Sequence, residues 1–216
     1  MTNQSKAAWL AVLIALVMLC GCTGQADQQA GEAPGPQRGE PLILFDGGTL
    51  DGWSQVGPGG FQIIDGVMQS QGGMGLLWYA ERMFGDFVLD LDWRVTAQAD
   101  NSGVFVRFPD PGGDPRVAID NGYEVQINDN PGGDPQKTGT IYGFQPPKAS
   151  ASNPVGEWNH YEVQVVGNQY TVWLNDVEIN RFTGTDPKRA LNGYVGLQNH
   201  DRNSAVQFRE IRVSPL

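Results

Sequence analysis

The chain has 216 residues, a formal charge of −10, and 29 Gly with 14 Pro. The acidic excess repels phosphate backbones and excludes nucleic acid as an expected partner. Abundant turn formers and short aliphatic runs argue for many short strands in a single all-β domain, with helix expected only as a turn or two at Ala80 to Phe84.

The first residues read as an address. Lys6 precedes an apolar run from Ala7 to Cys20 that is too short to span a bilayer comfortably, so residues 1–21 are expected to be a signal peptide. Leu19, Cys20, Gly21 and Cys22 resemble the bacterial lipobox, which makes Cys22 the expected lipidation site and first mature residue. The implied location is the cell envelope, lipid-anchored and facing periplasm or exterior, with acyl chains each contributing about 0.8 kcal/mol per buried methylene. Both Cys residues lie here, so no disulfide or thiol chemistry is expected in the globular part. Loss of residues 1–21 removes Lys6 and no acid, leaving 24 acidic against 13 basic groups, or −11. Residues 22–40 carry no large apolar side chain and cannot offset their ordering entropy, so they read as a flexible tether with a reach of roughly 20 to 25 Å.

The domain, expected over 41–216, opens with PLILFDGGTLDGW: a short strand, a turn at Asp46 to Gly48, and Trp53 as a buried anchor. FQIIDGVM, Phe61 to Met68, carries Asp65-Gly66 between apolar runs, the signature of a type I′ hairpin. Trp53 and Trp78 are read as packing residues, with sugar stacking as the alternative. Phe87 to Val95 alternates apolar and polar residues. In Val104 to Phe108 the alternation sets Arg107, with Phe105, opposite Val104, Val106 and Phe108.

NGYEVQINDN, Asn121 to Asn130, alternates more sharply. Tyr123, Val125 and Ile127 share one face, and Glu124, Gln126 and Asn128 the other. A carboxylate flanked by two amides on one strand face suits a hydroxylated ligand. The loops DPGGDP (Asp110 to Pro115) and NPGGDP (Asn130 to Pro135) repeat nearly letter for letter and suggest two similar turns at one end of a sandwich. Asp129 and Asp134, with Asp110 and Asp114, are weak candidates for a divalent cation such as Ca²⁺, although their spacing matches no familiar calcium loop. TGTIYGF follows, then a Pro-rich loop, Gln145 to Pro154, able to overhang a cleft. Strands are expected at His160 to Val166, Tyr170 to Leu174, Val177 to Phe182, Gly193 to His200 and Ala205 to Val213. Gly196, Gln198 and His200 share a face, and the apolar phase slips between Phe208 and Ile211 as in a β-bulge.

LFDGGTLDGW, GDFVLDLDWRV, NSGVFVRF, GYEVQINDN, TGTIYGF, GEWNHYEVQVVGNQYTVWLNDVEI, GYVGLQNH and VQFREIRVSPL, in this order, resemble the 3-keto-disaccharide hydrolase domain of bacterial secreted proteins, also described as 3-keto-α-glucoside 1,2-lyase and 3-keto-2-hydroxyglucal hydratase. The resemblance implies a concanavalin A-like, jelly-roll β-sandwich of two antiparallel sheets and a 3-keto-glycoside substrate. It implies elimination of the C1 substituent followed by hydration of the glycal, which needs one base and one group to stabilise an enolate. Glu124 or His200 is the expected base and Arg107 the enolate partner, with Gln126, Asn128, Tyr142 and Gln198 holding hydroxyls; a divalent ion can reinforce Arg107. The alternatives are a non-catalytic glycan-binding module of the same fold and a structural domain of a cell-surface assembly.

Overall fold

A computed structural model describes residues 37–216; the expected signal peptide, Cys22 and most of the expected tether lie outside them. Among these residues thirteen strands form two antiparallel sheets. The smaller sheet is built from β2 (Trp53–Val56), β5 (Gly75–Tyr79), β7 (Asn101–Phe108), β8 (Tyr123–Asn128) and β12 (Tyr194–Asn199), in the order β2-β5-β12-β7-β8. The larger contains β3 (Gly60–Ile64), β4 (Val67–Gln71), β6 (Phe87–Arg94), β9 (Asn159–Val166), β10 (Gln169–Leu174), β11 (Val177–Thr183) and β13 (Gln207–Pro215), in the order β11-β10-β9-β6-β13-β4-β3, with β1 (Leu42–Phe45) also on β13. This is the expected all-β sandwich. Among the described residues no helix is long and apolar enough to cross a membrane.

Alternation along each strand sends every second side chain into the space between the sheets. Val104, Val106, Tyr123, Val125 and Ile127 of the smaller sheet meet Leu89, Leu91, Trp93, Tyr161 and Val163 of the larger in one buried core. Asp65 and Gly66 both have positive φ, 49° and 78°, and close the β3–β4 hairpin as its type I′ signature requires. The slip in β13 is real: its pairing with β6 shifts between Arg209 and Arg212, and Glu210 has φ 51°.

Ala80 to Phe84 is not helical. Ala80 N–H bonds the Gly52 carbonyl, and Phe84 exchanges backbone bonds with Gly193, so the segment is held extended. The helix is instead α1 (Arg116–Asn121), too short to show an amphipathic period. It starts at Pro115, whose φ of −63° suits a helix start, and buries Ala118 against the outer side of the smaller sheet, where Leu76, Trp78, Phe105 and Phe108 form a second apolar cluster. Trp78 is therefore packing, and half-buried Trp53 donates Nε1–H to the Leu44 carbonyl at 2.8 Å. The end of the expected tether is tied to the domain: Gly39 N–H bonds the Pro215 carbonyl at 2.7 Å and Arg38 pairs with Glu162 at 2.7 Å.

The near-repeat loops are alike in chemistry but not in place. Asp110, Asp114, Asn130 and Asp134 each accept, through Oδ1, the backbone N–H two residues on, at 2.8 to 3.0 Å. One loop follows β7 and the other follows β8. Because those strands are antiparallel, the loops leave from opposite ends of the pair rather than sharing one end of the sandwich.

Candidate functional site

β8 keeps the expected phase, so Glu124 and Gln126 face away from the intersheet core. They do not face open solvent. The segment after β8 folds back along its free edge, with Gly139 N–H on the Gln126 carbonyl at 2.9 Å and Tyr142 N–H on the Glu124 carbonyl at 3.0 Å. This return lays Tyr142 beside Glu124, β12 brings Gln198 and His200, and α1 closes the remaining side. The result is a pocket of about 150 Å³ lined by Glu124, Gln126, Tyr142, Gln198 and His200 on its polar side and by Met74, Phe105, Pro115 and Ile119 on its apolar side.

Glu124 is only 3% exposed. Burial, then the nearby charge of Asp134, push its carboxyl up to about 8, while the Gln198 amide beside it pulls the other way. The carboxyl is thus mostly protonated at neutral pH, able to donate a hydrogen bond. Its position depends on Gly103 of the neighbouring strand, because a Cβ there would overlap Glu124 Oε1. Gln198 is 8% exposed, and its Oε1 has no hydrogen-bond partner. The Tyr142 hydroxyl donates to Asp134 Oδ2 at 3.1 Å, and burial with that bond raises it above the ordinary tyrosine range.

His200 stands at the rim, its side chain 44% exposed, with Nδ1 at 2.7 Å from Asp201 Oδ2. A carboxylate on Nδ1 fixes the ring and leaves Nε2 for chemistry, the arrangement of a general base. Burial opposes ionisation of Asp201, but hydrogen bonds from His200, Asn203 N–H and Ser204 N–H hold it below its ordinary value. Sequence reading found His200 and missed Asp201, although adjacency in HD was a signal.

Two expected members are elsewhere. Arg107 is fully buried and does not line the pocket. Its φ is 57°, and the β7–β12 register skips it, pairing Phe108 with Tyr194 and Val106 with Val195. This bulge inverts the expected alternation: Phe108 joins Phe105 on the outer side, and Arg107 crosses to the other sheet. There its guanidinium donates to the Gly85 carbonyl at 2.7 Å, to Asp86 Oδ1 at 2.8 Å and to the Gly167 carbonyl. Asn128 is on the expected face, but its amide is spent on the loop: Nδ2 donates to the Asp134 and Gln136 carbonyls, and Oδ1 accepts Asn130 N–H. It shapes the loop that positions Asp134.

The weak cation candidates do not converge. Asp134 is committed to Tyr142 and Gln136 N–H, and Asp129 lines a separate open cleft of about 710 Å³. The Pro-rich loop overhangs that cleft and not the Glu124 pocket. Among the described residues no group of three His, Cys, Asp or Glu side chains is placed to hold a metal ion.

A second charged group was missed because its members are distant in sequence. On the outer face of the larger sheet, His160 Nδ1 lies 2.9 Å from Asp92 and Nε2 lies 3.7 Å from Asp90. Arg209 also pairs with Asp92 and stacks on Trp158. Bonds to Asp90 and Asp92 raise His160 to about 9, with burial opposing.

A search of curated proteins gives no match. Among solved structures, a "putative glycosyl hydrolase" from Parabacteroides distasonis ATCC 8503 is 26% identical, with TM-score 0.69 over 82% of this chain and 100% of that one. A Bacillus subtilis protein of unknown function with a galectin-like fold is 10% identical, with TM-score 0.63 over 83% and 96%. The carbohydrate-binding module CBM66 from Bacillus subtilis is 14% identical, with TM-score 0.52 over 76% and 95%. These last two likenesses show the jelly-roll fold alone. The family model that describes the 3-keto-alpha-glucoside-1,2-lyase-like domain matches residues 41–214, and the chain belongs to that family.

Proposed function

We propose that the domain cleaves 3-keto glycosides by elimination and hydration, with His200 as the base and Glu124 as the acid that stabilises the enolate. Family membership supports a carbohydrate-related function. The observation that carries the finer reading is the buried, protonated Glu124 carboxyl in one pocket with an Asp-oriented imidazole. A neutral carboxylic acid in an apolar site can donate to an oxygen that gains negative charge, which is the role the sequence had assigned to Arg107.

His200 Nε2 takes the C2 proton, and the electron pair moves toward the C3 carbonyl, whose oxygen receives a hydrogen bond from Glu124. The enolate then collapses to form the C1–C2 double bond as the C1–O bond breaks. The departing alkoxide takes the proton from imidazolium, leaving a keto-glycal and an alcohol. Hydration runs the same steps backward with water in place of the alcohol: oxygen bonds C1 and the proton returns to C2. Gln126, Gln198 and Tyr142 hold hydroxyls. Cys22, if lipidated, places this chemistry at a membrane surface facing periplasm or exterior.

The test is turnover of a 3-keto disaccharide in D₂O by the full chain. The expected product carries deuterium at C2, and His200→Asn slows it by about 10² to 10⁴. Cleavage without C2 deuterium would refute elimination. Binding with neither cleavage nor exchange would instead make the domain a glycan-binding module.

A further inference from the structure

We infer that Gln198 is the specificity-determining residue of this pocket, and that Gln198 and Glu124 together read an α-hydroxyketone: the acid donates to the carbonyl and the Gln198 amide oxygen accepts from the hydroxyl on a neighbouring carbon. The inference rests on the reading of the pocket as a keto-sugar site and adds what selects the ligand. Gln198 Oε1 is a buried acceptor without a partner, on a side chain more than nine-tenths buried that lines the cavity. Buried polar groups are nearly always satisfied, and one left open at a pocket wall calls for a donor from the ligand. Beside it, Glu124 is held against Gly103 and supplies the complementary donor.

The two groups come from different strands, β8 and β12, separated in the sheet by β7. Gly103, on the β7 strand between them, leaves room for the Glu124 carboxyl over it. The cavity, about 150 Å³, is below the roughly 300 Å³ at which drug-sized ligands begin to fit, so it takes one sugar ring. In such a ring the C3 ketone is flanked by hydroxyls at C2 and C4, and a ketone with one adjacent hydroxyl is the unit the donor and acceptor match. Binding sites built to hydrogen-bond a ligand hydroxyl reject the analogue lacking it far better than apolar pockets reject an added group.

The experiment is calorimetric titration of the full chain with 3-keto-1,5-anhydroglucitol, which lacks the exocyclic C1 substituent that the reaction expels and so reports binding without glycoside cleavage. Its 2-deoxy and 4-deoxy forms are titrated in parallel. The expected result is that the wild type loses about tenfold to a hundredfold in affinity for one of the two deoxy forms. Gln198→Met, of similar volume, should lose the same factor on the parent probe and lose nothing further on that deoxy form. Equal penalties for the deoxy form in wild type and Gln198→Met overturn the inference, as does failure of the wild type to bind the parent probe below about 10 mM. The deoxy comparison within the wild type holds whether or not the variant folds. Turnover of a 3-keto disaccharide is measured separately: turnover with no Gln198 effect overturns this inference alone, and the binding pattern without turnover overturns the catalytic reading alone.

Discussion

Glu124→Gln should make the protein more stable at alkaline pH. The carboxyl ionises near 4.5 in the unfolded chain and at about 8 in the fold. Between those values the native state holds a proton that the unfolded state has released, so stability falls as pH rises through this window and levels off above about 8. At 1.36 kcal/mol per unit, the shift corresponds to at most on the order of 5 kcal/mol at pH 8 and above, and to less at pH 7. The substituted amide has the shape of the protonated acid and cannot ionise. The variant's melting temperature should match wild type within a few degrees near pH 5. It should then pull ahead by on the order of 10 °C at pH 8.5, taking about 2–4 °C per kcal/mol for a domain of this size. Scanning calorimetry of both proteins from pH 5 to 9 measures the difference, which cancels other titrating groups. Parallel curves would mean that Glu124 is ionised in the native protein. The base role would then return to Glu124, and the acid role assigned here would be lost. The same variant should lower turnover of a 3-keto glycoside by at least about a hundredfold.

Arg107→Met removes the guanidinium donor from the Asp86 carboxylate and from the Gly85 and Gly167 carbonyls, leaving Asp86 only the Gly167 N–H. It should cost about 3 kcal/mol and roughly 6–12 °C in melting temperature, with turnover per folded molecule within about threefold of wild type; a hundredfold loss of kcat without destabilisation would put Arg107 back in the chemistry. His160 is raised to about 9 against an unfolded value near 6.5. Its contribution is whole below about 6.5 and disappears as pH rises to about 9, so His160→Asn should flatten that part of the thermal profile, and an unchanged slope would contradict the pairing with Asp90 and Asp92. Cys22→Ser should release the protein from membrane fractions or block its processing, and normal cleavage with full retention would exclude the lipid anchor.

What the sequence shows and what it hides divides along the range of the interactions. Asp65-Gly66, the alternation of Tyr123 to Asn128 and the phase slip after Phe208 are local signals, and each appears in the structure where the residues put it. Arg107 failed because the alternation in Val104 to Phe108 is broken by a positive φ at a residue that gives no warning of one. The His160 group failed for a different reason. Its partners lie on β6 and β13, so only strand order brings them together. The apolar wall of the pocket was hidden likewise: Met74, Phe105 and the pair Pro115 and Ile119 come from three separate segments and read individually as ordinary packing residues. α1 itself is six residues long, less than two full turns, and no periodicity can announce it.

The cost of burying Glu124 is the strongest argument that the pocket does chemistry. A carboxyl raised by several units destabilises the fold at neutral pH, and a Gln in its place would give the same shape and hydrogen bonding to a resting sugar. A glycan-binding module gains nothing from the acid that the amide would not supply, since hydroxyls donate and accept equally well to either. An eliminating enzyme does gain: only a titratable group can meet the charge that develops on the ketone oxygen with a donor whose proton affinity approaches that of the enolate. The fold also reserves a glycine, Gly103, beneath the carboxyl, and orients the one imidazole at the rim with Asp201. Strain at functional positions is expected where function requires it and is otherwise removed by substitution. Under the function proposed above, the raised pKa of Glu124 serves the reaction rather than the sandwich, whose core is complete without it.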